Sequence, residues 1–121
     1  MKNLRLYLMT LLYTVISLSE SMAAEWQWSV QIPGIISSET NDHPQAFLWI
    51  PSECIQVKAV IIGNHNMTEE TLFENPLFRE RLSETGIALI WITPGWDQRW
   101  DVTTGCQEAF EKMMEDFAGV S

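Results

Sequence analysis

Basic residues are scarce: 7 Lys and Arg stand against 16 Asp and Glu, for a formal charge of −9. That balance excludes the electrostatic footprint of a nucleic-acid binder, or of a protein drawn to an anionic membrane face. Cysteine is scarcer still, with Cys54 and Cys106 alone, which excludes a disulfide-dense scaffold. Histidine occurs only as His43 and His65. Neither has a carboxylate pair at ligand spacing beside it, so the sequence indicates no metal centre. The chain has no GxGxxG, P-loop or CxxC motif, so no cofactor is expected. Internal repeats and low-complexity stretches are also missing. What the chain does have is 46% apolar residues and six Trp in 121 positions. That content excludes a disordered acidic tail, and the length suits a single domain.

Met1 to Ala23 has the three parts of a secretory leader. Lys2 and Arg5 make a positive start, Leu6 to Leu18 is mostly apolar, and Ser21 and Ala23 are small residues placed for cleavage before Ala24. A retained membrane anchor needs roughly 20 apolar residues, and Glu20 cuts this run short. The expectation is therefore export, periplasmic or extracellular, with no membrane attachment after cleavage. Lys2, Arg5 and Glu20 leave with the leader, so the remainder, 24–121, is more acidic still. An oxidising compartment permits a Cys54–Cys106 disulfide. Free thiols are the preferred reading, because Cys106 opens a helix-like run as a small core residue.

The periodicity of 24–121 reads as α/β. Trp26 to Ile32 alternates apolar and polar, the mark of a strand with one buried face. Ser37 to Gln45 reads as a loop, and Ala46 to Ile50 as a second strand. Val57 to Ile62 is nearly continuous and β-branched, which predicts a strand buried on both faces. Glu69 to Thr85 predicts two helical pieces meeting near Asn75, where Asn is a cap and Pro76 a first helical residue. Leu72, Phe73, Phe78 and Leu82 form its buried side, and Gly86 terminates it. Ile87 to Ile92 is a second apolar strand. Thr104 and Gln107 match a capping box, followed by Cys106, Phe110, Met113 and Phe117 on one helix face. Trp26, Trp28, Trp49 and Trp91 fall within strands and read as core.

Two loops follow the apolar strands, on the rim where open α/β sheets place ligands. The first is Gly63-Asn64-His65-Asn66-Met67-Thr68. With Val60-Ile61-Ile62 leading into it, this stretch resembles the strand-3 to helix-A junction of the α/β-hydrolase fold, as found in secreted esterase-like bacterial hydrolases. By that resemblance His65 takes the His of the HG-type motif, Asn66 the Gly position, and the Met67 N–H forms half of an oxyanion hole. Asn66 departs from Gly, yet Asn is the residue most tolerant of positive φ after Gly. A catalytic-base role for His65 needs a nucleophile within reach, and the chain shows none. His65 is read instead as a residue that holds the loop by hydrogen bonding.

The resemblance further implies a sheet order of 1-2-4-3 with strand 2 antiparallel, and strand 3 as an open edge that invites mispairing. It covers 24–121 as the amino-terminal portion of a hydrolase domain, truncated before the nucleophile strand. The nucleophile is absent: no G-x-S-x-G occurs, and the one Gly-x-Ser, Gly119-Val120-Ser121, follows a helix. The implied function is hydrolysis of a small-molecule or glycan ester, with no catalytic residue assigned and no activity from this chain alone.

The second loop, Thr93 to Asp101, offers two readings side by side. Trp96 and Trp100 stack on a sugar ring while Asp97, Arg99 and Asp101 supply polar contacts, or the indoles cover the sheet end and Arg99 pairs an Asp. On the first, the alternative function is a small secreted carbohydrate-binding module.

Overall fold

The longest uninterrupted apolar run, Ile87 to Ile92, is the centre of the fold. The computed structural model describes residues 25–65, 68–95 and 105–121. It contains strands β1 (Trp28–Gln31), β2 (Gln45–Trp49), β3 (Ala59–Asn64) and β4 (Ile87–Thr93), and helices α1 (Glu69–Phe73), α2 (Pro76–Thr85) and α3 (Cys106–Val120). The four strands form one sheet in the order β1-β2-β4-β3, the order expected above. β2 runs antiparallel to β1 and β4, with Phe47 opposite Trp91, and β3 runs parallel to β4, with Ile61 opposite Leu89. The chain is thus α/β with a mixed sheet in which two of the three pairings are antiparallel.

Both faces of the sheet are covered. Ala88, Ile90 and Ile92 of β4 point to one face, where Ala46, Leu48, Ile32 and Ile35 meet Cys106, Met113 and Phe117 of α3. Leu89 and Trp91 point to the other, where Phe47 and Trp49 of β2 meet Phe73 and Leu82 of α1 and α2. Only a central strand has both of its side-chain sets buried, and Leu89, Ile90 and Ile92 are fully enclosed. Each such side chain contributes about 1.5–3 kcal/mol relative to exposure.

The helical pieces break where expected. Asn75 Oδ1 accepts from the Leu77 and Phe78 amides, Pro76 takes the first helical position, and Gly86 ends α2 with a left-handed φ of 72°. The C-cap needs that conformation, which costs Gly no Cβ clash.

Five expectations are corrected. β3 is not buried on both faces: Ala59 is exposed and Ile61 is 37% exposed, because among the described strands β3 is the sheet edge. Val57 and Lys58 precede the strand instead of starting it. Leu72 is 46% exposed, since α1 is a single short turn that buries only Phe73. The residue capping α3 is Gly105, at φ 81° with no side-chain cap. Gln107 donates to Glu111 at 2.7 Å; Thr104 lies outside the described residues. Finally, the alternation from Trp26 breaks before β1. Trp28 packs on the α3 side, while Trp26 crosses to the α2 side. Of the four strand indoles only Trp91 is fully buried; Trp26, Trp28 and Trp49 are half-buried against the two clusters.

On the α2 side Trp26 packs against Arg79 and Phe47. The Arg79 guanidinium lies 4.7 Å from the Trp26 ring centroid and 4.8 Å from that of Trp49. Its Nε donates to the Phe73 carbonyl at 2.7 Å and Nη1 to the Glu25 carbonyl at 3.2 Å. Burial lowers its pKa, with the nearby Glu74 charge acting in the opposite direction. The two indole faces supply the cation's attraction in place of a carboxylate, and the result ties residues 25–26 to the middle of α2.

Candidate functional site

Because β3 and β4 are parallel, their carboxyl ends share one rim, with Asn64 opposite Ile92. The His65 N–H donates to the Ile92 carbonyl at 2.9 Å, so the ladder persists one residue past β3 before the loop departs. One residue earlier, the Asn64 N–H donates to Glu69 Oε2 at 3.2 Å. That contact fixes the start of α1 against the end of β3. Gly63 lets the two elements approach so closely: a Cβ there lies 2.7 Å from two ring carbons of Phe73 and 3.1 Å from Trp91.

The β1–β2 loop supplies the third wall. Ser37 is fully buried, and its Oγ donates to the Gly95 carbonyl at 3.1 Å and accepts from the Glu39 N–H at 3.3 Å. Its own N–H donates to the Asp42 carbonyl, and its carbonyl accepts from Asn41, which sits at φ 54°. The His43 ring meets the Ile35 carbonyl at 2.6 Å through Nδ1. So braced, the loop sets Glu39 beside Gly95. A Cβ on Gly95 has Glu39 Oε1 at 3.4 Å and the His65 carbonyl at 3.5 Å. Glu39 and His65, both exposed, therefore both lie beside Gly95.

His65 sits at the exit of β3, the rim the sequence assigned to it. The backbone N–H holds the loop, while the ring packs on Trp91 at 6.1 Å between centroids. Among the described residues that ring takes no hydrogen bond. Asn66, Met67, Trp96, Asp97, Arg99, Trp100 and Asp101 lie outside the described residues. Sequence reasoning missed Ser37 and Glu39. Their loop has no periodicity, and only the fold carries it to the end of β4. Cys54 and Cys106 are both free thiols, the first half-buried and the second buried.

Among the described residues, no three His, Cys, Asp or Glu side chains gather closely enough to hold a metal ion. No helix there is long and apolar enough to cross a membrane. A groove of about 260 Å³ lies between the end of β1 and the start of α3, lined by Ile32, Pro33, Gly34, Gly105, Glu108, Ala109 and Lys112. Its walls are mostly apolar, and His65 and Glu39 are not among them. Comparison with family models, curated proteins and solved structures finds no match.

Proposed function

We propose that this sheet carries the oxyanion turn of an exported ester hydrolase of the α/β-hydrolase type, acting on a small-molecule or glycan ester. The observation that carries the reading is the strand order β1-β2-β4-β3, with β2 antiparallel and helices on both faces. That order brings the β3 exit at His65 beside the β4 exit at Gly95. Ester hydrolysis places a negative oxygen on a tetrahedral intermediate, and fixed backbone N–H groups at such an exit stabilise it. In this reading the Met67 N–H is the donor. His65 is a positioning residue, whose backbone bond to Ile92 sets where the turn begins. Glu39 and Ser37 form the neighbouring wall. The nucleophile and its acid and base partners are not among these 121 residues, so the chain alone does not turn over ester.

The test is direct. The purified chain, assayed on an aryl ester beside a His65→Ala variant and a heat-killed sample, is expected to give no turnover above the controls. Turnover above them overturns the reading. The nucleotide sequence following the Ser121 codon is expected to encode a strand and then G-x-S-x-G in one of its frames. Absence from all three frames also overturns it.

A further inference from the structure

Arg79 is 9% exposed, and among the described residues no carboxylate pairs with it. Glu74 acts on it through space, as a charge. Two of its three nitrogens are used: Nε donates to the Phe73 carbonyl and Nη1 to the Glu25 carbonyl. Nη2 is enclosed and has no hydrogen-bond partner among the described residues. A buried cation with neither a counter-ion nor a full set of acceptors is costly, and uncommon in folded chains. The donors of a guanidinium lie in its plane, and Nη1 and Nη2 form a fork that a carboxylate fills with two parallel bonds. Here one carbonyl oxygen, that of Glu25, occupies half of the fork.

The cover over this fork is thin. Glu25 is exposed and Trp26 half-buried, the indole resting on Arg79 and, at 6.5 Å between centroids, on Phe47. Gln27 is fastened by contrast. Its side-chain amide donates to the Ile50 carbonyl and accepts from the Ile50 N–H, both at 2.8 Å, and its own N–H donates to the Leu48 carbonyl. Residues 25–26 can therefore lift about Gln27 and leave β1 in place. Beneath them stay Phe47 and the Trp49 indole, 4.8 Å from the guanidinium.

We propose that Arg79 binds an aryl carboxylate, and that residues 25–26 are a strap that fills this site until the ligand displaces it. The strap presents one aromatic ring and one acceptor oxygen. An aryl carboxylate presents a ring for the place of the Trp26 indole and two oxygens for the fork. It thus supplies the partner of Nη2 and the counter-charge together. The site lies at the end of the sheet opposite the rim, because residues 25–27 precede β1 and β1 runs in the same direction as β4. The inference does not rest on the hydrolase reading. A closed strap weakens the apparent affinity by the fraction of molecules in which it is shut.

The probe is phenylacetate, with phenylacetamide as its uncharged match, titrated into the purified chain at neutral pH by calorimetry and by the NMR signal of the Arg79 Nε–H. The carboxylate is expected to bind with a dissociation constant of about 1 mM and to shift that signal, and the amide to bind at least about tenfold more weakly. Trp26→Ala removes the competing ring and is expected to tighten the carboxylate about tenfold. Gln27→Ala loosens the anchor of the strap while keeping the ring, and is expected to tighten it about threefold. No binding at about 10 mM, equal binding of acid and amide, or binding that leaves the Arg79 signal in place overturns the proposal. Affinity that neither variant raises also overturns it.

Discussion

Replacing Gly63 by Ala tests the packing that positions the candidate site. The new Cβ falls 2.7 Å from Phe73 Cε2 and Cζ and 3.1 Å from Trp91 Cε3. Carbon pairs are comfortable at about 3.5–4.0 Å, so the Phe73 contacts overlap by about 1 Å. Phe73 is 4% exposed and is held by Trp91 at 5.6 Å and Phe78 at 6.3 Å between ring centroids. It is also the sole buried residue of α1, so a shifted ring moves the whole short helix, and with it the Glu69 bond to Asn64. Overpacking of this kind costs about 1–3 kcal/mol, while Ala regains about 0.5–1 kcal/mol over Gly within a strand. The expected net loss is about 1–2 kcal/mol, or about 5–15 °C in Tm for a domain this size. Thermal and urea melts followed by tryptophan fluorescence measure it. Phe73→Leu provides the control, since the shorter side chain leaves room for the Cβ. In that background Gly63→Ala is expected to cost less than half as much. An unchanged or raised Tm in the Phe73 background, or an equal cost in both, refutes the reasoning.

Removing the Asn75 cap tests the break between α1 and α2: Asn75→Ala leaves the Leu77 and Phe78 amides without their acceptor and is expected to cost about 1 kcal/mol in urea melts. Arg79→Ala removes a cation held between two indoles and strands two carbonyl groups, for an expected loss of about 2–4 kcal/mol. Arg79→Lys restores little of it, because an ammonium lacks the flat fork that serves both carbonyls while stacked; recovery of full stability by Lys refutes the stacking account. The intact mass of the unreduced protein is expected to match two thiols, with Cys106 reacting with a thiol reagent only on unfolding. A mass lower by two hydrogens contradicts this. Asp116 holds the Lys112 pKa above its ordinary value through a side-chain hydrogen bond. What the pair adds is present below the unfolded Lys pKa and lost as pH rises through the raised one. Being exposed and screened it adds little, so Lys112→Ala is expected to leave Tm at neutral pH unchanged.

What the sequence disclosed depended on how local each signal was. The Asn75–Pro76 cap and the Gly86 stop were legible because each is decided by φ preferences and hydrogen bonds within three residues. β4 was legible because six consecutive apolar residues have no other comfortable place. β3 shows the limit of that logic. Val60-Ile61-Ile62 has the same β-branched texture as a central strand, and only the register with β4 leaves Ile61 at the margin. Trp26 shows another limit, since its alternation continues that of β1, yet the indole packs on the opposite face beside Arg79, far along the chain. At the rim, the place of His65 at the exit of β3 was legible because it follows an apolar strand. Ser37 was not, because nothing in a polar loop announces that one hydroxyl is fully enclosed against a carbonyl 58 residues away.

The strand order also governs when the sheet can come into being. β2 has β1 on one side and β4 on the other, so a chain emerging from its amino end holds only a two-stranded β1–β2 hairpin until Thr93 is made. Isolated hairpins are marginal in water, and β3, though finished earlier, has no strand to lie against. α1 and α2 also lack a floor, because Leu89 and Trp91 are what Phe73 and Leu82 pack upon. Assembly is thus withheld until β4 arrives, and its arrival positions every other element at once. Any disturbance that delays or frays Ile87–Thr93 is felt over the whole domain, whereas one confined to β1 leaves the β3–β4 rim standing.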